Sequence, residues 1–162
     1  MYVLRMNHHK KSINKCKQTG AQAVWVGTRF VCSVEAGASL NHKQAIVKAT
    51  YDDTDRTLIY SGRPLRVIRN DYVKKWETER KEEMENLLQR GIVPFVHEQK
   101  QKPQSEIKAF LHEAEGHLSG QVAGAIDDIK PAKEIFEDMM TGAIASLKTI
   151  TKTISVVPQS KL

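Results

Sequence analysis

The chain has 162 residues, 40% of them hydrophobic and 27% charged, enough for one ordinary domain with a fairly polar surface. No stretch approaches the ~18 apolar residues of a transmembrane helix, and Met1-Tyr2-Val3-Leu4-Arg5-Met6 lacks the apolar run of a secretory signal. Cys16 and Cys32 are too few for a disulfide framework, so a reducing, intracellular setting is expected. The formal charge of +6 comes from the start of the chain: Arg5, Lys10, Lys11, Lys15, Lys17 and Arg29 precede any acid, and from Val31 onward basic residues and acids balance. This arm has only Tyr2 as a stacking aromatic and no nucleic-acid motif, which predicts a solvated leader with neither a nucleic-acid nor a membrane partner.

Residues 1–19 show no period and read as that basic leader. The apolar run Ala21 to Val26, bounded by Gly20 and Gly27, predicts a short buried strand over 22–26. Ser33 and Ser39 are candidate caps for a helix over 40–49, with Leu40, Lys43-Gln44 and Val47 one turn apart. Asp52, Asp53 and Asp55 form an acidic turn, residues 57–60 a brief extended piece, and Ser61-Gly62-Arg63-Pro64 a turn. Asn70 or Asp71 caps one long helix to about Arg90, its stripe marked by Val73, Trp76, Met84, Leu87 and Leu88, and Gly91 stops it. Pro94 to Pro103 reads as a polar linker. Ser105 opens a helix bearing Ile107, Phe110, Leu111 and Ala114. Pro131 starts a last helix whose face is Ile135 or Phe136, Met139, Ala143 and Leu147. Residues 151–162 read as a flexible tail. One strand cannot make a sheet on its own.

The strand's end carries the most informative chemistry. Gly27 lets backbone N–H groups approach an anion without a Cβ in the way, Thr28 adds a hydroxyl donor, and a following helix would add its positive end. Barrel enzymes often hold cofactor phosphate at the ends of their last two strands. A plain strand-to-helix turn has the same spacing, so this motif alone leaves both readings open.

The run Gly20 to Phe30, then Glu35-Ala36-Gly37-Ala38, Lys43-Gln44-Ala45, Ser61 to Asn70 and Ser119-Gly120-Gln121-Val122-Ala123-Gly124 resembles the nitronate monooxygenases, in that family's order over roughly 20–150. The resemblance implies an α/β fold: the C-terminal fragment of an FMN-binding (β/α)8 barrel plus a helical substrate domain, mainly helical in this chain. It divides the chain into a leader (1–19), the last barrel strand with its phosphate turn and helix (20–50), a helical region (51–150) and a tail (151–162). The activity implied is oxidation of alkyl nitronates with O2 to a carbonyl compound and nitrite, with FMN carrying the redox step. By similarity Gly27 and Thr28 contact the FMN phosphate, Arg29 and Phe30 lie beside it, and Gly120 and Gln121 lie on the substrate side.

Departures from the family limit these expectations. Earlier barrel strands, a catalytic histidine and a second glycine-rich phosphate loop have no counterpart. Where that loop belongs stands Asn7-His8-His9-Lys10-Lys11-Ser12. No catalytic residue is therefore assigned, and a barrel of about 250 residues is not reached, so the chain alone is expected to be inactive. A non-catalytic remnant or interaction module, and another FMN-barrel oxidoreductase, are the alternatives. His112 and His117 are five apart, about 140° off the register of a zinc helix, which predicts a solvated face and no metal. Arg63, Arg66 and Arg69 suit structural ion pairs better than anion steering, and Trp76 suits the core. Finally, Ser160-Lys161-Leu162 matches a peroxisomal address read by an import receptor, with the cytoplasm as the alternative location.

Overall fold

A computed structural model describes residues 3–5 and 23–154 of the chain. Two short strands, β1 (Val3–Arg5) and β2 (Ala23–Trp25), pair in parallel with Leu4 opposite Val24. The leader therefore contributes a strand, which its lack of period did not predict. Parallel strands need a crossover of a dozen or more residues, and 6–22 suffice. β2 falls within the predicted 22–26, but Trp25 is 68% exposed and not buried, because β1 is the only described neighbour of this strand.

After Gly27 the chain turns into α1 (Thr28–Val31), closed by Phe30 N–H and Val31 N–H bonds to the Gly27 carbonyl at 2.8 and 3.2 Å. Next comes α2 (Leu40–Lys48), where the Ser39 hydroxyl accepts from His42 N–H and caps the first turn. Its inward face is Lys43 and Ile46, with Val47 half-buried beside them, so the predicted stripe holds at Lys43 and Val47 and fails at Leu40 and Gln44, which are exposed. The buried Lys43 ammonium donates to the carbonyls of Ser33 and Val34 at 2.7 and 3.2 Å, which satisfies its charge against the preceding loop.

The predicted extended piece at 57–60 lies earlier, as β3 (Thr54–Thr57), and pairs antiparallel with an unforeseen strand, β4 (Leu65–Ile68). The Asp53 carboxylate accepts from both the Thr50 N–H and hydroxyl at 2.7 Å, which closes the turn just before β3. Leu58 to Tyr60 instead leaves the ladder: Ile59 is fully buried and the Tyr60 hydroxyl donates to the Ala114 carbonyl.

The long helix expected over 70–90 is two, α3 (Asp71–Thr78) and α4 (Lys81–Gln89), joined at Glu79-Arg80. Asn70 caps the first as predicted, and Gly91, at φ +70°, ends the second. The break lets Arg80 stack over Trp76 at 3.6 Å while bonding Glu83 and Glu98. Glu98 lies on α5 (Pro94–Gln101), a helix where a linker was expected: Pro94 is pre-set for a first turn, and Phe95 gives the helix a core anchor. α6 (Ile107–Glu113) starts after Glu106, not from a Ser105 cap. A 3₁₀ turn (Gln121–Ala125) precedes α7 (Ala132–Ile154), whose buried face takes Ile135, Met139 and Ala143 and leaves Phe136 exposed. α7 also runs through 151–154, assigned to the tail. Thr149 and Thr151 return their hydroxyls to carbonyls one turn back, which accommodates these β-branched residues in a helix.

Successive strand residues face opposite ways, and the β3–β4 hairpin uses this to join two cores. Val67 faces the larger cluster of Ile59, Tyr72, Trp76, Met84, Leu87 and Phe110. Ile68 faces a smaller one with Cys32, Ile46, Val122, Ala123 and Ile126. Trp76 is thus core, as expected, at 0% exposure.

Candidate functional site

The smaller core positions the site. It holds α1 against the 3₁₀ turn, so that the segment Leu118 to Val122 lies beside the β2–α1 turn. The link is one hydrogen bond: Gly120 N–H donates to the Thr28 hydroxyl at 2.8 Å, across 92 residues of sequence. A hydroxyl that accepts this way still has its own proton to donate. Gly27, Thr28, Gly120 and Gln121 all line one cavity of about 630 Å³. Apolar walls come from Trp25, Val31, Leu65 and Val122, and the charged groups are Arg56 and Arg66; no carboxylate lines it among the described residues.

Gly27 suits a ligand cradle. A Cβ built there meets no protein atom within 4 Å and would project into open space, while Gly120 is tight, with a Cβ 3.0 Å from the Thr28 hydroxyl. Arg29 has a different place. Its guanidinium is buried, pairs with the Asp128 carboxylate and donates to the Asp128 carbonyl at 2.8 Å. Although burial works the other way, the Lys130 ammonium and Arg29 hold the Asp128 carboxyl below its usual range. With Val34 N–H on the Lys130 carbonyl, this fastens residues 128–130 against the end of α1. Phe30 is half-buried and does not line the cavity. Beneath the turn, burial pushes the Cys32 thiol up despite Arg29 and Lys43, which suits a packed thiol and not a nucleophile.

The structure corrects the histidine reading. His112 is exposed, but His117 is half-buried, with its ring 5.3 Å from that of His42. His42 Nε2 lies 2.8 Å from the Leu118 carbonyl; a carbonyl only accepts, so that nitrogen carries the proton. Burial, reinforced by His42 and opposed by Glu115, lowers the His117 pKa. Neither ring lines the cavity, and no metal-holding group of His, Cys, Asp or Glu occurs among the described residues. Of the three arginines, Arg69 pairs with Asp55 as expected, Arg63 is exposed, and Arg66 reaches the cavity. Arg56 and Ser119, also at the cavity, were missed. Sequence has no signal for them, since the hairpin that aligns Arg56 with Arg66 was itself unseen. The tripeptide Ser160-Lys161-Leu162 and residues 7–12 lie outside the described residues. No described helix is long and apolar enough to cross a membrane.

A Mycobacterium tuberculosis protein named as a monooxygenase is 25% identical over 122 residues, covering 75% of this chain and 32% of its own length. A Staphylococcus saprophyticus protein named as a nitronate monooxygenase is 41% identical over 56 residues, covering 35% of this chain and 16% of that one. Among solved structures, FabK from Thermotoga maritima superposes with a TM-score of 0.68 at 29% identity, over 93% of this chain and 46% of that one. Nitroalkane oxidase from Streptomyces ansochromogenes gives 0.66 at 21% identity, over 91% and 40%, and shares the fold. This chain thus spans a third or less of the curated relatives and under half of these barrels, and its mainly helical architecture is that of a portion of a (β/α)8 barrel. The nitronate monooxygenase family model matches residues 8–142, the Gly27-Thr28 turn and the Gly120-Gln121 segment included, and the chain belongs to that family.

Proposed function

We propose that this chain carries the phosphate end of an FMN site and part of the substrate cavity of a nitronate monooxygenase, which oxidises alkyl nitronates with O2 to a carbonyl compound and nitrite. The observation that carries the reading is the Thr28–Gly120 bond, which sets the two family segments on one cavity. Bound there, FMN supplies the redox chemistry. The chain's own part is to hold and shield. The amides at the start of α1 and the Thr28 hydroxyl donate to the phosphate, and the open face of Gly27 lets it approach. Trp25, Leu65 and Val122 give the cavity apolar walls, and Gln121 offers an amide to the substrate. Arg29 acts indirectly, by bracing α1 through Asp128.

The test is Gly27→Asp in a form of the protein carrying a whole barrel. The added carboxylate would fill the cradle and repel the phosphate, so flavin content after gel filtration should drop at least ten-fold. Unchanged flavin absorbance would place the phosphate elsewhere. The FabK likeness favours a second reading, another FMN-barrel oxidoreductase; nitronate-dependent O2 uptake by the flavin-loaded protein separates the two. We further propose that Ser160-Lys161-Leu162, where Leu162 is a free carboxyl terminus, directs the protein to peroxisomes.

A further inference from the structure

The β3–β4 hairpin sets two like charges face to face on the cavity. Arg56 and Arg66 are register partners, so their side chains leave the same face of the ladder, with Cβ atoms about 5 Å apart. Like charges so placed destabilise a strand pair. Arg66 directs one nitrogen to the Thr54 hydroxyl and carbonyl, at 2.9 and 3.2 Å, which leaves its other N–H groups to spare. Arg56 is exposed, and its guanidinium has no ion pair or hydrogen bond among the described residues. Nearby carboxylates are committed elsewhere: Asp55 to Arg69, and Asp53 to Thr50. Ser119 adds an independent observation. Its N–H donates to the Arg66 carbonyl at 3.0 Å, yet its hydroxyl is buried with no partner among the described residues. It also lines the cavity. Facing guanidiniums without a counter-ion repel only weakly, because Arg56 is exposed and hydrated, while the orphaned Ser119 hydroxyl burdens the fold more. One oxyanion would relieve both.

We propose that Arg56, Arg66 and Ser119 form an oxyanion subsite, for a carboxylate or phosphate group of a ligand in this cavity, separate from the phosphate cradle at Gly27 and Thr28. The subsite rests on the reading of the cavity as a ligand site, not on the identity of the cofactor. A planar guanidinium binds two oxygens at once, and two of them with a hydroxyl saturate a carboxylate or most of a phosphate. An anionic ligand is then preferred over a neutral one of the same shape.

Thermal unfolding of the chain tests this, with malonate or inorganic phosphate at low millimolar concentration against sodium chloride of matched ionic strength. The expected result is a rise in Tm with malonate or phosphate beyond that with chloride. Arg56→Gln should begin with a higher Tm than the parent, because the like-charge pair is gone, and should bind the anion at least ten-fold more weakly. Ser119→Ala should weaken binding several-fold. Lys108→Gln, an exposed change on α6, should behave as the parent. The stronger response identifies the group: malonate for a carboxylate ligand, phosphate for a phosphorylated one. Gly27→Asp should keep the malonate response, so the two readings fail separately. An equal response to chloride, an Arg56→Gln variant that responds like the parent, or loss of the malonate response in Gly27→Asp would overturn the subsite.

Discussion

A side chain at Gly124 has nowhere to go: its Cβ would lie 2.4 Å from the Tyr51 nitrogen and 2.6 Å from the Thr50 carbonyl carbon. Both are backbone atoms, so the 3₁₀ turn itself would have to move off the end of α2. Because that turn packs Val122 and Ala123 into the smaller core, Gly124→Ala is expected to cost about 2 kcal/mol, the usual scale of overpacking. A fall in the urea midpoint at unchanged m-value would register it. An unshifted midpoint would mean that the two backbones do not meet. Gly27 differs: it lines the cavity, and a Cβ there would meet no protein atom within 4 Å. The same residue type thus serves packing at one position and, on the proposed reading, binding at the other.

At the scale of elements, the segment 114–120 connects core to cavity through groups that acid can reach. It presents Glu115 and His117, and α2 opposes them with His42 and the Ser39 hydroxyl, which bonds Glu115 at 3.1 Å. Burial and His42 keep the folded His117 pKa below the ordinary 6.5 despite Glu115. The unfolded chain therefore binds the proton first as pH falls. This stabilising contribution is complete above about pH 6.5 and is lost as pH drops from there through the folded value. Tm is expected to decline as pH falls below about 6.5, and to decline less in His117→Phe, which keeps the ring but not the proton. Identical declines in parent and variant would assign the acid sensitivity to another group.

For the molecule as a whole, the described residues supply the proposed phosphate turn and the lining of one cavity. Expressed alone, the 162-residue chain is expected neither to retain FMN nor to consume nitronate, because so few contacts do not offset the cost of association. A yellow protein with one equivalent of flavin would contradict this. Targeting needs no such site. A fluorescent protein fused at the N-terminus, with Leu162 left free, should give puncta that overlap a peroxisomal marker and vanish when the last three residues are removed. A diffuse or mitochondrial signal from the intact fusion would defeat the proposed address.

What the sequence determined by itself was local. Glycines around an apolar run marked β2, Ser39 and Asn70 announced their helices, Gly91 ended one, and the ordered segments from Gly20 to Gly124 identified the family. Each of these signals is carried by residues that are neighbours in the chain. Tertiary structure decided what depends on residues far apart. It broke the 70–90 helix so that Arg80 reaches both Trp76 and Glu98, and it made a helix of 94–101 through the burial of Phe95. It committed Arg29 to Asp128, brought His117 to His42, and aligned Arg56 with Arg66 beside Ser119. Periodicity can report that a face is apolar or charged. Only packing determines which partner meets it, because that choice is settled by desolvation and geometry across the whole fold.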